Sequence, residues 1–171
     1  DGGYPELMMA GNLSARQFQR GVVQQQVEDA LVVSGIPPSK LELELTESAL
    51  LHDGEAVTGV LRQLKALGVK LSIDDFGTGY SSFAYLRRFK FDKIKIDHSF
   101  VSELIDDPDN AAIVRGIISL ALSLGMDVLA EGVETPAVAL RLKHMQCTYA
   151  QGYHFARPLR PEAFLERLGA A

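Results

Sequence analysis

The chain has 171 residues, 47% of them hydrophobic, enough for one domain of ordinary size with a substantial core. Its 17 Lys and Arg against 22 Asp and Glu give a net charge of −5, which argues against DNA as a partner and against a polybasic membrane anchor. The one cysteine, Cys147, forbids an internal disulfide; with no basic leader and no apolar run of about 18 residues, a cytoplasmic location without a membrane segment is expected.

Six apolar segments each precede a helical pattern: Leu7 to Leu13, Leu41 to Leu45, Val69 to Ile73, Ile94 to Ile96, Val128 to Ala130 and Tyr149 to Phe155. The helices are expected at about Ala15 to Val33, Glu55 to Leu67, Ser81 to Arg88, Asn110 to Leu124, Pro136 to Met145 and Pro161 to Leu168. Ser14 with Gln17 reads as a capping box, Thr135 before Pro136 as an N-cap, and Pro161 as a helix opener. Pro37-Pro38 and Asp106-Asp107-Pro108-Asp109 read as loops, and nothing resembles a linker, so residues 1–171 form one domain.

Alternating strands and helices give a parallel sheet with right-handed crossovers, either a barrel or an open doubly wound sheet. The polar residues decide between them. Each strand ends in a candidate functional group: Asn12, Glu44 with Glu47, Asp74 with Asp75, Lys95 with Asp97, Glu131 with Glu134, and Gln151. An open sheet usually places its ligand at one switch point. Six strand ends serving one site imply a ring, so the expected fold is a TIM-like (β/α) barrel of the α/β class with six of the usual eight strands.

The densest signal is Ile73-Asp74-Asp75-Phe76-Gly77-Thr78-Gly79-Tyr80-Ser81-Ser82. Neighbouring strand residues face opposite sides, so Asp74 and Asp75 reach one site only where the strand ends and the chain turns. Two hard oxygen ligands there favour Mg²⁺, Mn²⁺ or Ca²⁺, and Glu44 and the Asn12 amide oxygen extend the shell. The bland alternatives are a surface Asp-Gly turn and a solvated edge carboxylate. In Lys93-Ile94-Lys95-Ile96-Asp97 the alternation puts both lysines on one face, so one of them must lie inside or at the rim. A buried lysine needs a carboxylate or a reactive oxygen, and holding an attacking water fits as well as a structural ion pair. Glu131, before Gly132, is a candidate second-metal ligand or base, and Gln151-Gly152-Tyr153-His154-Phe155 a candidate nucleobase surface. The four histidines show no zinc spacing, and Cys147 and Ser81 lack a base, so water is the expected nucleophile.

These motifs, in this order, resemble those of the EAL domain family, bacterial phosphodiesterases acting on cyclic di-GMP. The resemblance runs from about Met8 to Leu168 and rests on Asn12-Leu13-Ser14-Ala15-Arg16-Gln17-Phe18, Glu44-Leu45-Thr46-Glu47-Ser48, Asp74 to Ser82, Lys95-Ile96-Asp97, Glu131-Gly132-Val133-Glu134 and Gln151-Gly152-Tyr153. It implies two ions, Mg²⁺ or Mn²⁺: Asn12, Glu44 and Asp74 would hold one, and Asp74 would bridge to a second bound also by Asp75. Lys95 would orient the hydrolytic water and Glu131 would act beside it. Glu47 would anchor the Phe76 to Ser82 loop, and Asp97, Gln151 and Gly152 are expected to touch substrate.

The family's Glu-Ala-Leu signature sits on a strand before the asparagine motif and is not in this sequence; Glu55-Ala56-Val57 opens a helix and cannot replace it. The chain therefore reads as the C-terminal portion of the domain, without its first two strands and one carboxylate short at the first metal. Cyclic di-GMP hydrolysis to linear pGpG is expected of the parent domain and should be impaired here. A non-catalytic cyclic di-GMP-binding or protein-interaction module is the alternative. An enolase-type reading of Lys93-Ile94-Lys95 fails because those lysines would precede the metal carboxylates. A homodimer and an upstream diguanylate cyclase-like or sensor domain complete the expectations.

Overall fold

The computed structural model describes residues 4, 6–14, 17, 22–51, 54–79, 86 and 88–169, with the side chains of 50, 51 and 54–56 left aside. Six parallel strands lie in strict chain order: β1 (Met9–Leu13), β2 (Leu41–Thr46), β3 (Lys70–Phe76), β4 (Lys93–Ile96), β5 (Asp127–Ala130) and β6 (Tyr149–Ala150). The helices are α1 (Val23–Ser34), α2 (Glu47–Leu51), α3 (Gly54–Leu67), α4 (His98–Ser102), α5 (Pro108–Ser123), α6 (Pro136–His144) and α7 (Pro161–Gly169), with a 3₁₀ turn at Pro38–Lys40. Sequential parallel pairing with helical crossovers is the TIM-like (β/α) barrel the sequence predicts, in six strands.

The strands are tied in register from Asn12 beside Glu44, through Thr46 beside Asp74, to Lys95 beside Leu129. One face of each strand is apolar: Leu43, Leu45, Leu71, Ile73, Ile94, Ile96, Val128 and Ala130 are buried. Helical stripes cover it, Val57, Leu61 and Leu64 from α3 and Val114, Ile117, Ile118 and Ala121 from α5, at the three-to-four-residue spacing of an amphipathic helix. The other face is polar and lines the lumen, where Glu42, Ser72 and Lys95 are buried.

Several boundaries differ from expectation. The Asp106–Asp109 segment is not a plain loop: Asp107 caps α5, its carboxylate accepting from the Asp109 N–H at 2.8 Å, and Pro108 is the first helical residue. The last strand is two residues long, because the chain after Ala150 turns into the site. Two short helices, α2 and α4, follow strands β2 and β4 directly. They are too brief to leave a periodic trace in sequence. Thr135 caps α6 as expected, accepting from the Val138 N–H at 3.3 Å. At the capping box, Gln17 Oε1 accepts from the Ser14 N–H at 2.9 Å. Most of the expected helix from Ser81 to Arg88, and residues 15, 16 and 18–21, lie outside the described residues.

Outer strands β1 and β6 have no further strand beside them among the described residues, and Met9 on β1 is 60% exposed. Among the described residues, no helix is long and apolar enough to cross a membrane.

Candidate active site at the strand ends

The site is built where β3 breaks its own ladder. Ile73 pairs with Ile94 and Phe76 with Ile96, so Asp74 and Asp75 together stand opposite the single residue Lys95. This is a β-bulge, the device that re-aims a side chain without ending a strand. The sequence reading expected β3 to end at Ile73; instead it runs on to Phe76. Asp75 takes φ 53°, a left-handed conformation unusual for a residue with a Cβ, and its N–H donates to Asp74 Oδ1 at 3.1 Å. The bulge brings two adjacent carboxylates to one side.

Lys95 occupies the middle of the lumen. Its Nζ donates to Glu44 Oε2 at 2.7 Å, lies 2.9 Å from Asp74 Oδ1 and 2.8 Å from Glu131 Oε1, with a side chain only 6% exposed. Burial by itself would lower its pKa, but the hydrogen bonds to Asp74, Glu131 and Glu44 outweigh it and hold the ammonium well above the ordinary lysine value. Glu131 Oε1 also accepts from Gln151 Nε2 at 2.8 Å, which fixes both side chains across β5 and the segment after β6.

One ammonium does not balance the carboxylates around it. Burial pushes Glu131 up, and Lys95 offsets this only in part. Burial, then the neighbouring charges of Asp74 and Asp97, push Asp75 up. Oxygens of Asp74, Asp75 and Glu131 lie within 4.8 Å of one another. A hard, crowded, under-compensated oxygen set fits a divalent cation. Glu44 is committed to Lys95, and Asn12, exposed on β1, stands beside it in register.

The remaining expected residues fall around this core. Glu47 opens α2, is buried, and its Oε2 accepts from the Gly77 N–H at 3.1 Å, tying β2 to the loop after β3. Gly77, at φ 100°, lets that loop pass over the Phe100 ring, where a Cβ would collide. Asp97 is the N-cap of α4: its Oδ1 accepts from the Ser99 N–H at 3.0 Å and from the Ser99 hydroxyl, and although burial would raise its pKa these bonds hold it low. This carboxylate is engaged by its own helix. Gly152 packs on the Val133 backbone in a cleft of about 550 Å³, lined also by His98, Glu131, Gln151, Tyr153 and Arg157. The Arg157 guanidinium lies 4.5 Å from the Tyr153 ring centroid.

Two features escaped the sequence reading. His98 packs its ring against Gly132, whose φ of 68° and missing Cβ make room for it. Glu42 and Lys93 form a second buried ion pair beneath Glu44 and Lys95, Nζ to Oε2 at 2.6 Å. The alternation of β2 and β4 carried the signal for that pair, since it puts both lysines and both glutamates on the lumen face.

The EAL domain family matches residues 3–158. The chain belongs to that family. Bifunctional diguanylate cyclase/cyclic di-GMP phosphodiesterase MucR of Pseudomonas aeruginosa is 44% identical over 165 residues, covering 96% of this chain and 24% of that protein. The chain thus spans about a quarter of that relative's length. Among solved structures, the PaMucR phosphodiesterase in complex with c-di-GMP superposes with a TM-score of 0.92 at 44% identity, over 96% of this chain and 66% of that one. Klebsiella pneumoniae BlrP1, in a manganese and cyclic di-GMP complex, gives a TM-score of 0.85 at 32% identity, over 92% of this chain and 40% of that one. The cluster described above thus lies at the strand ends of an EAL domain.

Proposed function

We propose that this EAL domain carries the hydrolytic centre of a cyclic di-GMP phosphodiesterase, opening the cyclic dinucleotide to linear pGpG with water as nucleophile. The observation that carries the reading is Lys95 held at 2.7 to 2.9 Å from carboxylates at or just past the ends of three different strands, beside an under-compensated acid cluster. Asp74, Asp75 and Glu131 are positioned to hold a divalent cation, Mg²⁺ or Mn²⁺, and Glu44 with Asn12 would complete a second site that shares Asp74. Bound cations would neutralise phosphate charge and lower the pKa of a coordinated water.

The chain's own residues have definite work in this scheme. The three N–H groups of the Lys95 ammonium are shared among Glu44, Asp74 and Glu131, and Lys95 would orient the water oxygen by exchanging one of these partners for it. Glu131, whose pKa burial has raised, serves either as a ligand of that cation or as the base that takes a proton from the water, with Gln151 holding its orientation. The cleft beside it offers the Tyr153 face and the Arg157 guanidinium to a nucleobase and a phosphate, with Gly152 allowing close backbone approach. Glu47 keeps the Gly77 loop against the site.

Among these 171 residues there is no Glu-Ala-Leu tripeptide. The domain is proposed to work in the cytoplasm as part of a longer polypeptide with a diguanylate cyclase-like or sensor domain, and to self-associate through β1 and β6, which have no outer neighbour among the described residues. Sedimentation showing only monomer would contradict the last point.

The test is chromatography of cyclic di-GMP incubated with the chain and Mn²⁺, with Glu131→Gln as control. Linear product lost in the variant supports a working centre. Tight binding without product would assign a binding module instead.

A further inference from the structure

The lumen of the barrel is ionic in two tiers. The upper tier is Lys95 with Glu44, Asp74 and Glu131. The lower tier is Glu42 with Lys93, at 2.6 Å, the carboxylate side chain 5% and the lysine side chain 14% exposed. Lys93 also lies 5.2 Å from the centroid of the Tyr149 ring, which closes the tier on the β6 side. Between the tiers sits Ser72, in register with both Glu44 and Lys93, fully buried, its hydroxyl without a partner among the described residues. The Ser72 hydroxyl thus stands in register between the two tiers.

Glu42 and Glu44 are two residues apart on one strand face, and so are Lys93 and Lys95, which sets the tiers about 7 Å apart. A lysine stem is long and flexible enough to cover much of that distance. Glu42 is therefore a rival for the Lys95 ammonium. A buried carboxylate deprived of its partner strongly attracts the next cation within reach, and Lys95 is the next lysine on the same face. Two things prevent this: Lys93 saturates Glu42 from below, and Glu44, Asp74 and Glu131 hold the Lys95 ammonium from above.

We propose that Glu42 and Lys93 are a positioning pair: by satisfying each other they keep Lys95 pointing up at the strand ends, where the proposed chemistry needs it. The pair touches no substrate and acts through Lys95. The inference rests on the reading of Lys95 as the residue that faces the reacting water, yet its structural content stands without turnover.

The consequence has an unusual sign. In Lys93→Met, Glu42 draws Lys95 down. The rim then loses a positive charge, so Mn²⁺ should bind more tightly, by about three- to tenfold, about 0.6 to 1.4 kcal/mol of Coulomb repulsion removed, while any hydrolysis falls. In the double variant Glu42→Gln with Lys93→Met the rival carboxylate is gone, and Lys95 should return to its parental position with Mn²⁺ affinity near the parental value. A merely structural pair predicts the opposite: lowered stability in both variants, with affinity unchanged or weakened.

The experiment follows the Lys95 ammonium resonance by lysine-selective NMR in metal-free protein, and Mn²⁺ affinity by electron paramagnetic resonance, in parent, single and double variants, with thermal melts alongside. Support is a Lys95 resonance that moves in the single variant and returns in the double. A resonance that stays put in Lys93→Met, or fails to return in the double, overturns the proposal. Should Lys93→Met not fold, Glu42→Asp lengthens the pair and must move the Lys95 resonance in the same direction by a smaller amount; no movement overturns it equally. A chain that shows no phosphodiesterase activity would remove the functional reading and leave the resonance result to decide the positioning one.

Discussion

The two ends of this barrel carry inverted versions of one ionic motif. At the C-terminal rim a single lysine, Lys95, meets three carboxylates. Toward the N-terminal end a single carboxylate, Asp92, meets two lysines, Lys65 at 2.7 Å and Lys70 at 3.3 Å, and also accepts from the Leu71 N–H at 2.8 Å. Burial would raise Asp92, but its bonds to Lys65 and Leu71 and the charges of both lysines hold it below the ordinary value. At the rim, by contrast, Asp75 and Glu131 are pushed up. An acid held low is satisfied and serves as a clip; acids held high by burial and by their neighbours' charge are where the proposed cation would act. The direction of the shift, more than the presence of ion pairs, separates the chemical end from the structural one.

The largest expected effect lies at the rim. Lys95→Met leaves buried carboxylates unpaired and should cost about 3–5 kcal/mol in metal-free urea unfolding. Cyclic di-GMP turnover should fall at least about 100-fold. Saturating Mn²⁺ should recover part of the stability and none of the turnover. Unchanged metal-free stability would break the comparison at its stronger side.

Next comes the clip. Asp92→Asn should lose about 1–3 kcal/mol while leaving turnover intact, because a hydrogen bond to a charged group is removed far from the reacting atoms. Its pH dependence has a fixed sign: with the native pKa below the ordinary 3.8, the stabilisation is fully present above that value and disappears as the pH falls through the native one. The gap between parent and Asp92→Asn should therefore be constant near neutrality and narrow in acid, and a gap that widened in acid would refute the assignment.

Glu47→Ala should cost about 1–2 kcal/mol by orphaning the Gly77 N–H, and should weaken turnover without changing the Asp92 clip, as read by urea melts and product chromatography. The smallest effect belongs to Lys70→Met. Its side chain is 43% exposed, so less than about 1 kcal/mol should be lost. A loss comparable to that of Asp92→Asn would place the clip's strength in Lys70 instead of Lys65 and the Leu71 backbone.

Much of this was legible in the chain before any coordinates. Alternation and strand-end chemistry were enough to place Asn12, Glu44, Asp74, Asp75, Lys95, Glu131 and Gln151 on consecutive strands, and to require carboxylate partners for a buried lysine. The bulge was not, because Ile73-Asp74-Asp75-Phe76 reads equally well as a strand that stops; only its pairing to Ile94 and Ile96 shows a strand that continues with one residue to spare. Nor was the Asp107 cap, since Asp-Asp-Pro-Asp satisfies loop and helix-start rules alike and the choice depends on where α5 packs. Asp97 illustrates a third kind of gap. Its position at a strand end suggested a substrate contact, yet a short helix no periodicity could announce engages its carboxylate first.

The bulge carries a consequence for how such a site can be lost. Because β3 supplies three steps between Ile73 and Phe76 where β4 supplies two between Ile94 and Ile96, one residue of β3 is surplus to the ladder. Deleting Asp75 would give the sheet a regular pairing and relieve a left-handed residue, so the backbone would gain from the change that strips a carboxylate from the cluster. In this fold the site is written as an insertion, and a single in-frame codon deletion could erase it while leaving the barrel that surrounds it in better order.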